Sequence, residues 1–349
     1  MLKRMLIIYN PVAGQRKFQK LMPVAEQILG DAGFDVTLIP TTEEAKSATK
    51  IAKQGAKDGF EVIVAAGGDG TVNDVVNGLM QFSAPPIFGV LPVGTTNDFA
   101  RALQMAKDPI DALNIMAARN TVAVDVGKAN NDYFINNAAG GKITEITYEV
   151  KESLKNKIGR LAYLFSGISM LPKLAPKKVT VMHDEGVFEG EILLLFGSLT
   201  NSVGGMEQLC PPAVFNDGKM DLLLLKKVSP AKLLKLLASI KSGAHLESED
   251  VVYVRTKKVQ ITCETSLNIS YDGVYGGETP YELEVLPEKL QVLADTKRIQ
   301  HRLHNKTITS KISTFTMVKC SQIWYHSCVR KNSFPIFHSR KSNFVKVRT

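Results

Sequence analysis

Short apolar runs alternate with stretches of helical periodicity along the first third of the chain. The strand-like runs are bounded by Pro, Gly or polar residues and lie at 6–10, 35–41, 61–66 and 87–93. Between the runs, apolar residues recur every three or four positions over 18–29 and 72–80, which predicts helices there, and residues 43–57 are typical of a polar helix. The Asp108-Pro109 pair is typical of a helix start. Because parallel strands covered on both faces are apolar throughout, this pattern predicts a parallel α/β sheet.

The hydrophobic pattern changes near Thr121, after which strand-like runs are separated by turns that contain Asn, Asp or Gly. These runs lie at 121–129, 133–139, 177–183, 187–197, 219–227, 251–263 and 267–271. They favour a mainly antiparallel β domain, a sandwich or an irregular barrel, over about 122–292. We expect two helices to interrupt it, one over 143–170 and one that begins after Ser229, a residue suited to cap a helix that starts with proline.

Composition restricts the class of protein. The chain has 349 residues, 44% hydrophobic and 22% charged, which is typical of a globular protein of two domains. Four scattered cysteines are too few for a disulfide framework or a zinc cluster and indicate a reducing, cytoplasmic environment. The sequence contains no apolar run of about 18 residues, the length that a membrane span needs.

The net charge of +9 belongs to the end of the chain. From Asp295 to Thr349 there are twelve Lys or Arg and one acid, so 31 basic and 33 acidic residues remain before Asp295. The body therefore has a net charge of −2 and no sign of nucleic-acid binding. The tail is either a basic arm for anionic lipid or a disordered or non-native extension.

Three glycine-containing loops follow strands of the predicted parallel sheet. They are Asn10–Gly14, Gly67–Asn73 and Gly94–Asp98. In open α/β sheets ligands bind at the carboxyl ends of the strands. Glycines let the backbone approach a polyphosphate, and the N–H groups at a helix start attract its charge. Three such loops at one edge predict a nucleotide site, to which Thr71 and Thr95 can add hydroxyl hydrogen bonds.

The P-loop and the GxGxxG motif are both absent, so the phosphates need positive charge from another source. Mg²⁺ held by acids is the source we expect. Asp69 lies between glycines, where a structural role for its carboxylate is hard to find, and Asp125 lies near the expected domain junction. Asp125 could instead cap a turn.

Several motifs resemble the diacylglycerol kinase catalytic domain of bacterial soluble lipid kinases, a group that includes sphingosine and ceramide kinases. They are NPVAG at 10–14, GGDGTVN at 67–73 and LPVGTTNDFAR at 91–101. The resemblance continues in order through 124–128, 138–150, 215–222 and 271–277, and it covers roughly residues 1–292.

The resemblance implies a kinase with two domains and a tail. An α/β nucleotide-binding domain, with a parallel sheet like that of phosphofructokinases and NAD kinases, would span 1–127. A mainly antiparallel β-sandwich that binds lipid would span 128–292, and the basic tail would span 293–349.

The family's roles transfer by position. ATP would be bound by Asn10, Pro11, Val12, Ala13, Gly14, Thr41, Gly67, Gly68, Asp69, Gly70, Thr71, Val72, Asn73 and Thr95. Asp69 and Asp125 match acids associated with the catalytic Mg²⁺ and the phosphates. A second, structural Mg²⁺ would take the carboxylate of Asp217 and the carbonyls of Val214 and Lys219, although a simple Asp-Gly turn remains an alternative.

One departure from the family concerns the base that takes the proton from the lipid hydroxyl. The family has Asp-Gly-Glu where this chain has Asp272-Gly273-Val274. Valine cannot accept a proton, so Asp272 remains as the catalytic candidate there, and Glu278 lies four residues beyond the family position. Because losing a general base costs about 10²–10⁴-fold in rate, we expect impaired turnover.

The expected function is ATP-dependent phosphorylation of diacylglycerol to phosphatidic acid at the inner face of the membrane. Phosphatidylglycerol, a sphingoid base or undecaprenol are alternative acceptors, and a homodimer is a further expectation. Basic residues flanking 158–172 could touch an anionic surface, or that stretch could be a core helix; they are Lys155, Lys157, Arg160, Lys173, Lys177 and Lys178. A homologue that binds nucleotide or lipid without turnover, and an NAD kinase, are the other hypotheses.

Overall fold

In the computed structural model the described residues are 3–15, 17–141, 175–204, 207, 209–210 and 213–300. The helix predicted over 143–170 and the tail beyond residue 300 lie outside them, as do Lys155, Lys157, Arg160 and Lys173. The chain divides into two compact units, Met1–Thr296 and Lys297–Thr349, and every element below belongs to the first.

The strands are β1 Lys3–Tyr9, β2 Phe34–Pro40, β3 Val62–Gly67, β4 Ile87–Pro92, β5 Thr121–Ala129, β6 Asp132–Phe134, β7 Asn137–Gly140, β8 Lys177–His183, β9 Gly186–Ser198, β10 Met220–Lys226, β11 Val251–Thr256, β12 Lys258–Cys263, β13 Asn268–Tyr271, β14 Val274–Glu278 and β15 Tyr281–Leu293. The α-helices are α1 Lys17–Asp31, α2 Ser47–Lys57, α3 Asp69–Leu79, α4 Asp98–Ala102, α5 Pro109–Ala117 and α6 Pro230–Ser239.

The N-terminal part is the predicted parallel α/β sheet. Its strands lie in the order β2-β1-β3-β4 and all run in the same direction. The runs Met5–Ile8 and Val62–Gly67 are buried throughout, because helices cover both faces. Parallel strands place their carboxyl ends at one edge, so the glycine loops that follow them meet there.

The C-terminal part is mainly antiparallel, as predicted. Strands β14-β13-β7-β9-β8-β12-β15 follow one another, and β10 and β11 extend from β9. Alternate residues of β8, β12 and β13 point into one apolar core that contains Val181, Ile261 and Ile269. Two predicted runs are divided in the structure: 133–139 separates into β6 and β7, and 251–263 separates into β11 and β12.

Strand β15 joins the two parts into one sheet. It pairs antiparallel with β5 and β12 and meets β4 in parallel at Val292 and Phe88. The sequence pattern did not predict this strand, because Pro287 interrupts its apolar alternation and proline is unusual inside a sheet. The structure accommodates the proline in a bulge, where the register shifts between Leu286 and Leu290.

Both predicted helix caps are confirmed. The carboxylate of Asp108 accepts hydrogen bonds from the N–H groups of Ile110 and Asp111, ahead of Pro109 at the first helical position. The hydroxyl of Ser229 accepts from the Lys232 N–H at the start of α6. Each cap satisfies N–H groups that lack a partner within the first helical turn. Within the described residues, no helix has the length and apolarity needed to cross a membrane.

Candidate active site

The loops that follow the parallel strands are hydrogen-bonded to one another at the sheet edge. The Gly94 N–H donates to the Gly67 carbonyl over 3.1 Å, and the Asn10 N–H donates to the Ala66 carbonyl over 3.0 Å. The Thr41 N–H donates to the carbonyl of Tyr9, the last residue of β1, over 2.8 Å. The predicted nucleotide-binding segments therefore lie side by side along one edge.

Glycine is required where two of these loops touch. A Cβ on Gly94 would lie 2.3 Å from the Cα of Gly68, which is backbone and cannot move aside cheaply. A Cβ on Gly67 would lie 2.4 Å from the Thr71 hydroxyl oxygen. The glycines thus permit close approach of the loops and of the first turn of α3, whose N–H groups form an anion-binding end.

Asp69 is the first residue of α3 and connects two loops. Its two carboxylate oxygens accept hydrogen bonds from the Asn97 N–H over 3.0 Å and from the Asp98 N–H over 2.7 Å. Burial, followed by the negative charge of Asp98, raises the pKa of Asp69 to about 6. The side chain is therefore ionised at neutral pH. Because burial and the charge of Asp98 both disfavour this negative charge, a cation bound to the remaining lone pairs of the carboxylate would be stabilising.

Asp98 extends this connection to the C-terminal part. Only 8% of the residue is exposed. Its carboxylate accepts from the Ser202 hydroxyl over 2.9 Å and from the Gly204 N–H over 2.7 Å. Asp98 therefore binds Asp69 through its backbone N–H, and it binds the segment after β9 through its carboxylate.

Asp272 lies in the two-residue turn between β13 and β14, where it and Gly273 have φ values of 47° and 83°. Its carboxylate accepts four hydrogen bonds of 2.7–3.0 Å, from the Asn73 side chain and from the backbone N–H groups of Ile135, Asn136 and Asn137. Burial is the largest influence on its pKa and raises it. The Asp272 carboxylate therefore fixes the positions of the Asn73 side chain and of the backbone at residues 135–137.

The polar contacts continue from Asp272 back to Asp98. The Asn136 side-chain oxygen accepts from the Thr200 hydroxyl over 3.0 Å, and Thr200 lies two residues before Ser202. Asn73, which donates to Asp272, lies on α3, the helix that begins with Asp69, and so links Asp272 to the Asp69 end of the site. Buried polar groups thus line a continuous path around the junction between the α/β sheet and the antiparallel strands.

Asp125 is tied to a different loop. Its carboxylate accepts from the Gly218 N–H over 2.7 Å and from the Glu288 N–H over 2.8 Å, and its own N–H donates to the Phe215 carbonyl. Burial is the main cause of a raised pKa at Asp125, and the charge of Asp217 adds to it. Asp125 therefore supports the predicted metal loop and the bulge of β15.

Asp217 lies in that loop together with Val214 and Lys219. One carboxylate oxygen accepts from the Lys219 N–H over 3.1 Å, and the other contacts the guanidinium of Arg255. The described residues contain no cluster of three His, Cys, Asp or Glu side chains that could hold a metal. A cation here would depend on one carboxylate, backbone carbonyls and water, a set that suits Mg²⁺.

Two family profiles match the chain, the diacylglycerol kinase catalytic domain over residues 4–129 and the YegS C-terminal NAD kinase beta sandwich-like domain over residues 143–294. A diacylglycerol kinase of Bacillus subtilis strain 168 is 40% identical over 305 residues, which are 86% of this chain and 99% of that protein. The chain belongs to the diacylglycerol kinase family.

Other relatives agree. A diacylglycerol kinase of Staphylococcus aureus strain MRSA252 is 38% identical over 87% of this chain and 96% of its own length. A solved structure from Bacillus anthracis strain Sterne, 26% identical, has a TM-score of 0.75 over 84% of this chain and 95% of its own. The predicted family, fold class and enzyme class are confirmed: diacylglycerol kinases are lipid kinases that transfer phosphate from ATP to an alcohol.

Val274 is the position at which this diacylglycerol kinase family member departs from the expected Asp-Gly-Glu. It is the first residue of β14, half-buried, and it packs against the apolar core of the antiparallel strands. Glu278, at the other end of β14, contacts the Ser266 hydroxyl. Neither residue places a carboxylate at the turn, where Asp272 is the acid present.

The path around the site includes residues that the sequence analysis did not single out. They are Asn77, Asp98, Asn136, Thr200 and Ser202, all buried. The signal that could have found them is a polar run directly after an apolar strand, as in Thr200-Asn201-Ser202 after β9. Buried polar groups need hydrogen-bond partners, so such a run points to a junction or a site.

A cavity of about 220 Å³ lies beside the loop after β4. Its polar lining includes Gly94, Thr95 and Asn97 from the predicted ATP loop, and Arg101 and Lys107 add positive charge. The cavity therefore adjoins the predicted nucleotide site.

Proposed function

We propose that this kinase transfers the γ-phosphoryl group of ATP to the primary hydroxyl of diacylglycerol and produces phosphatidic acid and ADP. The observation that carries the proposal is the position of Asp69. It lies at the sheet edge where the nucleotide loops meet, and its carboxylate accepts hydrogen bonds from the N–H groups of Asn97 and Asp98. The Asp98 side chain in turn accepts from Ser202, in the segment after β9.

The chain's own groups account for nucleotide binding. The segments at 10–14 and 67–73, together with Thr41 and Thr95, would surround the phosphates, and the N–H groups at the start of α3 favour their negative charge. Asp69 would hold the Mg²⁺ that accompanies ATP. That ion would neutralise charge that develops on the transferring phosphoryl group.

A second, structural Mg²⁺ would occupy the Asp217 loop, with carbonyls from Val214 and Lys219. The structure supports this in one respect: Asp125 fixes the loop from two sides, through Phe215 and Gly218. A loop with a fixed backbone can present its carbonyls and one carboxylate to a hard cation that keeps several waters.

No glutamate stands at position 274, where the family's proposed base would be. Phosphoryl transfer depends mainly on positioning and electrostatics, so the reaction can proceed without that base. Asp272, whose oxygens already accept four hydrogen bonds, would contribute by holding Asn73 and residues 135–137 in place. The missing glutamate also favours a second candidate function, a homologue that binds nucleotide or lipid without turnover.

A phosphate-transfer assay with γ-³²P-ATP and mixed lipid micelles distinguishes the two functions. We expect labelled phosphatidic acid that is lost in Asp69→Asn and retained in Asp35→Asn, an exposed acid on β2. Parallel reactions with phosphatidylglycerol, a sphingoid base, undecaprenol and NAD test the other acceptors. No labelled product from any acceptor, with ATP still bound, would establish the binding-only function.

We further infer that the enzyme meets its lipid from the cytoplasmic side, as a peripheral protein. Lys177 and Lys178 begin β8, and their amino groups reach Thr265 and Glu264 on the surface. Flotation with vesicles that contain anionic lipid would test the association, and light scattering after gel filtration would test the proposed homodimer.

A further inference from the structure

Arg255 forms ion pairs with two acids, Asp217 and Asp221, through its guanidinium. It lies on β11 directly opposite Asp221 of β10, and its Nε is 3.7 Å from an Asp221 carboxylate oxygen. Its Nη2 contacts Asp217, in the loop that leads into β10. The guanidinium therefore bridges a strand residue and the predicted metal loop.

The ion pair with Asp221 keeps the guanidinium near the loop. Asp221 has no solvent exposure, and the Tyr253 hydroxyl also donates to it. The Arg255 Nε makes no hydrogen bond to the described residues and is held near Asp221 by charge alone, at 3.7 Å. A buried carboxylate is costly unless it is paired, so Asp221 favours a positive charge beside the loop independently of Asp217.

Asp217 is the only carboxylate expected to bind the structural Mg²⁺, and both of its oxygens already have hydrogen-bond donors, the Lys219 N–H and Arg255. A charge-assisted contact with a guanidinium is among the stronger hydrogen bonds in proteins. Mg²⁺ must therefore displace or share this contact, and it must do so next to a fixed positive charge.

Resting on the metal site of the proposed function, we propose that Arg255 is a resident cation that competes with Mg²⁺ for Asp217 and balances the charge of that carboxylate when the metal is absent. Asp125 keeps the loop backbone fixed independently, through Gly218 and Phe215. The loop is therefore preformed, and the competition concerns charge and the Asp217 carboxylate alone.

Loss of the Arg255 charge should change the Mg²⁺ affinity and the melting temperature in opposite, predictable directions. Removal of a unit charge about 6 Å from a divalent cation favours its binding by about tenfold in affinity even with the screening of bulk water, and by more where the local dielectric constant is lower. The same removal leaves Asp217 without its cation in the metal-free protein. Loss of Arg255 should therefore tighten Mg²⁺ binding and, at the same time, lower the melting temperature without metal.

The experiment compares Asp221→Asn with the double variant Asp221→Asn/Arg255→Met in the full chain. Neutralising Asp221 first prevents the second change from leaving a buried carboxylate unpaired, and the Tyr253 hydroxyl can still donate to the new amide. Mg²⁺ binding is measured calorimetrically without nucleotide, and melting temperatures are recorded with and without Mg²⁺. Lys258→Met, which removes a cation paired with Glu282 on the neighbouring strand, is the matched control.

We expect the double variant to bind Mg²⁺ about tenfold more tightly than Asp221→Asn, to melt lower without Mg²⁺ and to gain more from its addition. Lys258→Met should bind like the wild type, and Asp217→Asn should lose the site. Equal or weaker Mg²⁺ binding in the double variant overturns the competition. If Asp217→Asn binds Mg²⁺ like the wild type, the metal site itself fails and this inference with it, while the kinase assay with Asp69→Asn still decides the proposed activity.

Discussion

The three predicted catalytic acids share one feature at the residue scale: backbone N–H groups distant in sequence hold their carboxylates. Asp69 is held by Asn97 and Asp98, and Asp272 by residues 135–137. Several N–H donors favour the ionised form of a carboxylate and partly offset the cost of burying it. Each acid therefore places a carboxylate at the candidate site and also joins segments that are distant in sequence.

Asp69 makes stability depend on pH in a predictable direction. Its pKa rises from the ordinary 3.8 to about 6, so between these values the folded protein holds a proton that the unfolded chain releases. The stabilising contribution is present below pH 4 and is lost as the pH rises through 6. The unfolding free energy of the wild type minus that of Asp69→Asn should fall by on the order of 3 kcal/mol across this range.

Urea unfolding without Mg²⁺, from pH 4 to pH 8, measures that difference. The exposed acid Asp35, changed to Asn, supplies the control and should show no such slope. A difference that stays constant or increases with pH would contradict the assigned pKa.

Val274→Glu should raise the turnover number for diacylglycerol at least tenfold, because it restores a proton acceptor beside Asp272 and such a group contributes about 10²–10⁴-fold. The KM for ATP should not change, since the gained carboxylate would serve the acceptor hydroxyl and not the nucleotide. Val274→Gln has the same size without a base and should give no gain. Unchanged turnover in Val274→Glu would show that Val274 does not limit the reaction.

At the scale of elements, α3 is attached to the antiparallel strands by two asparagines. The Asn77 amide donates to the Tyr133 carbonyl and accepts from the Tyr133 N–H, both over 2.9 Å. Asn73, one turn earlier, donates to the same carbonyl and to Asp272. The helix that begins with Asp69 is therefore fixed against the strand that leads toward the Asp272 contacts.

Asn77→Ala should lower the unfolding free energy by about 2 kcal/mol, because it leaves the N–H of the half-buried Tyr133 without its partner and removes the second donor to the Tyr133 carbonyl. It should also lower the turnover number more than it raises the KM for ATP, since the nucleotide loops stay intact while their position relative to Asp272 changes. Asn114→Ala, at an exposed site on α5, is the control. Urea unfolding and steady-state kinetics measure the two effects; a purely structural role would leave turnover per folded molecule unchanged.

At the scale of the whole molecule, the fifteen strands of the described residues form one sheet. The predicted division at 127 and 128 falls within β5, which pairs with β15 along both parts. The boundary between the two predicted domains therefore stays a prediction. Within Met1–Thr296, the parallel and antiparallel halves share a continuous backbone hydrogen-bond network across β15.

A chain that ends at residue 300 should keep its turnover in detergent micelles within about twofold, because every described strand and the whole candidate site precede that point. It should bind anionic vesicles less tightly at low salt, since the removed segment carries ten basic residues and no acid. Flotation assays at two salt concentrations measure this. Unchanged vesicle binding would show that the tail is not a lipid-binding arm.

The parallel strands, their glycine loops and the two helix caps could be predicted from the sequence because their signals are local. A buried parallel strand is apolar throughout, and a cap needs only residues within one turn. The β15 strand could not be predicted in the same way, since Pro287 hides its alternation and only the bulge opposite Asp125 makes the proline acceptable.

The sequence by itself therefore determined the family, the α/β and β-rich halves and the segments predicted to surround the nucleotide, because these depend on short motifs and periodicity. Only the tertiary structure decided which groups each acid contacts. Hydrogen bonds across 29 to 199 positions of sequence place Asp69 against Asp98, Asp272 against Asn73 and Arg255 against Asp217. No local pattern encodes such pairings, because they arise when distant segments pack and their buried polar groups must find partners.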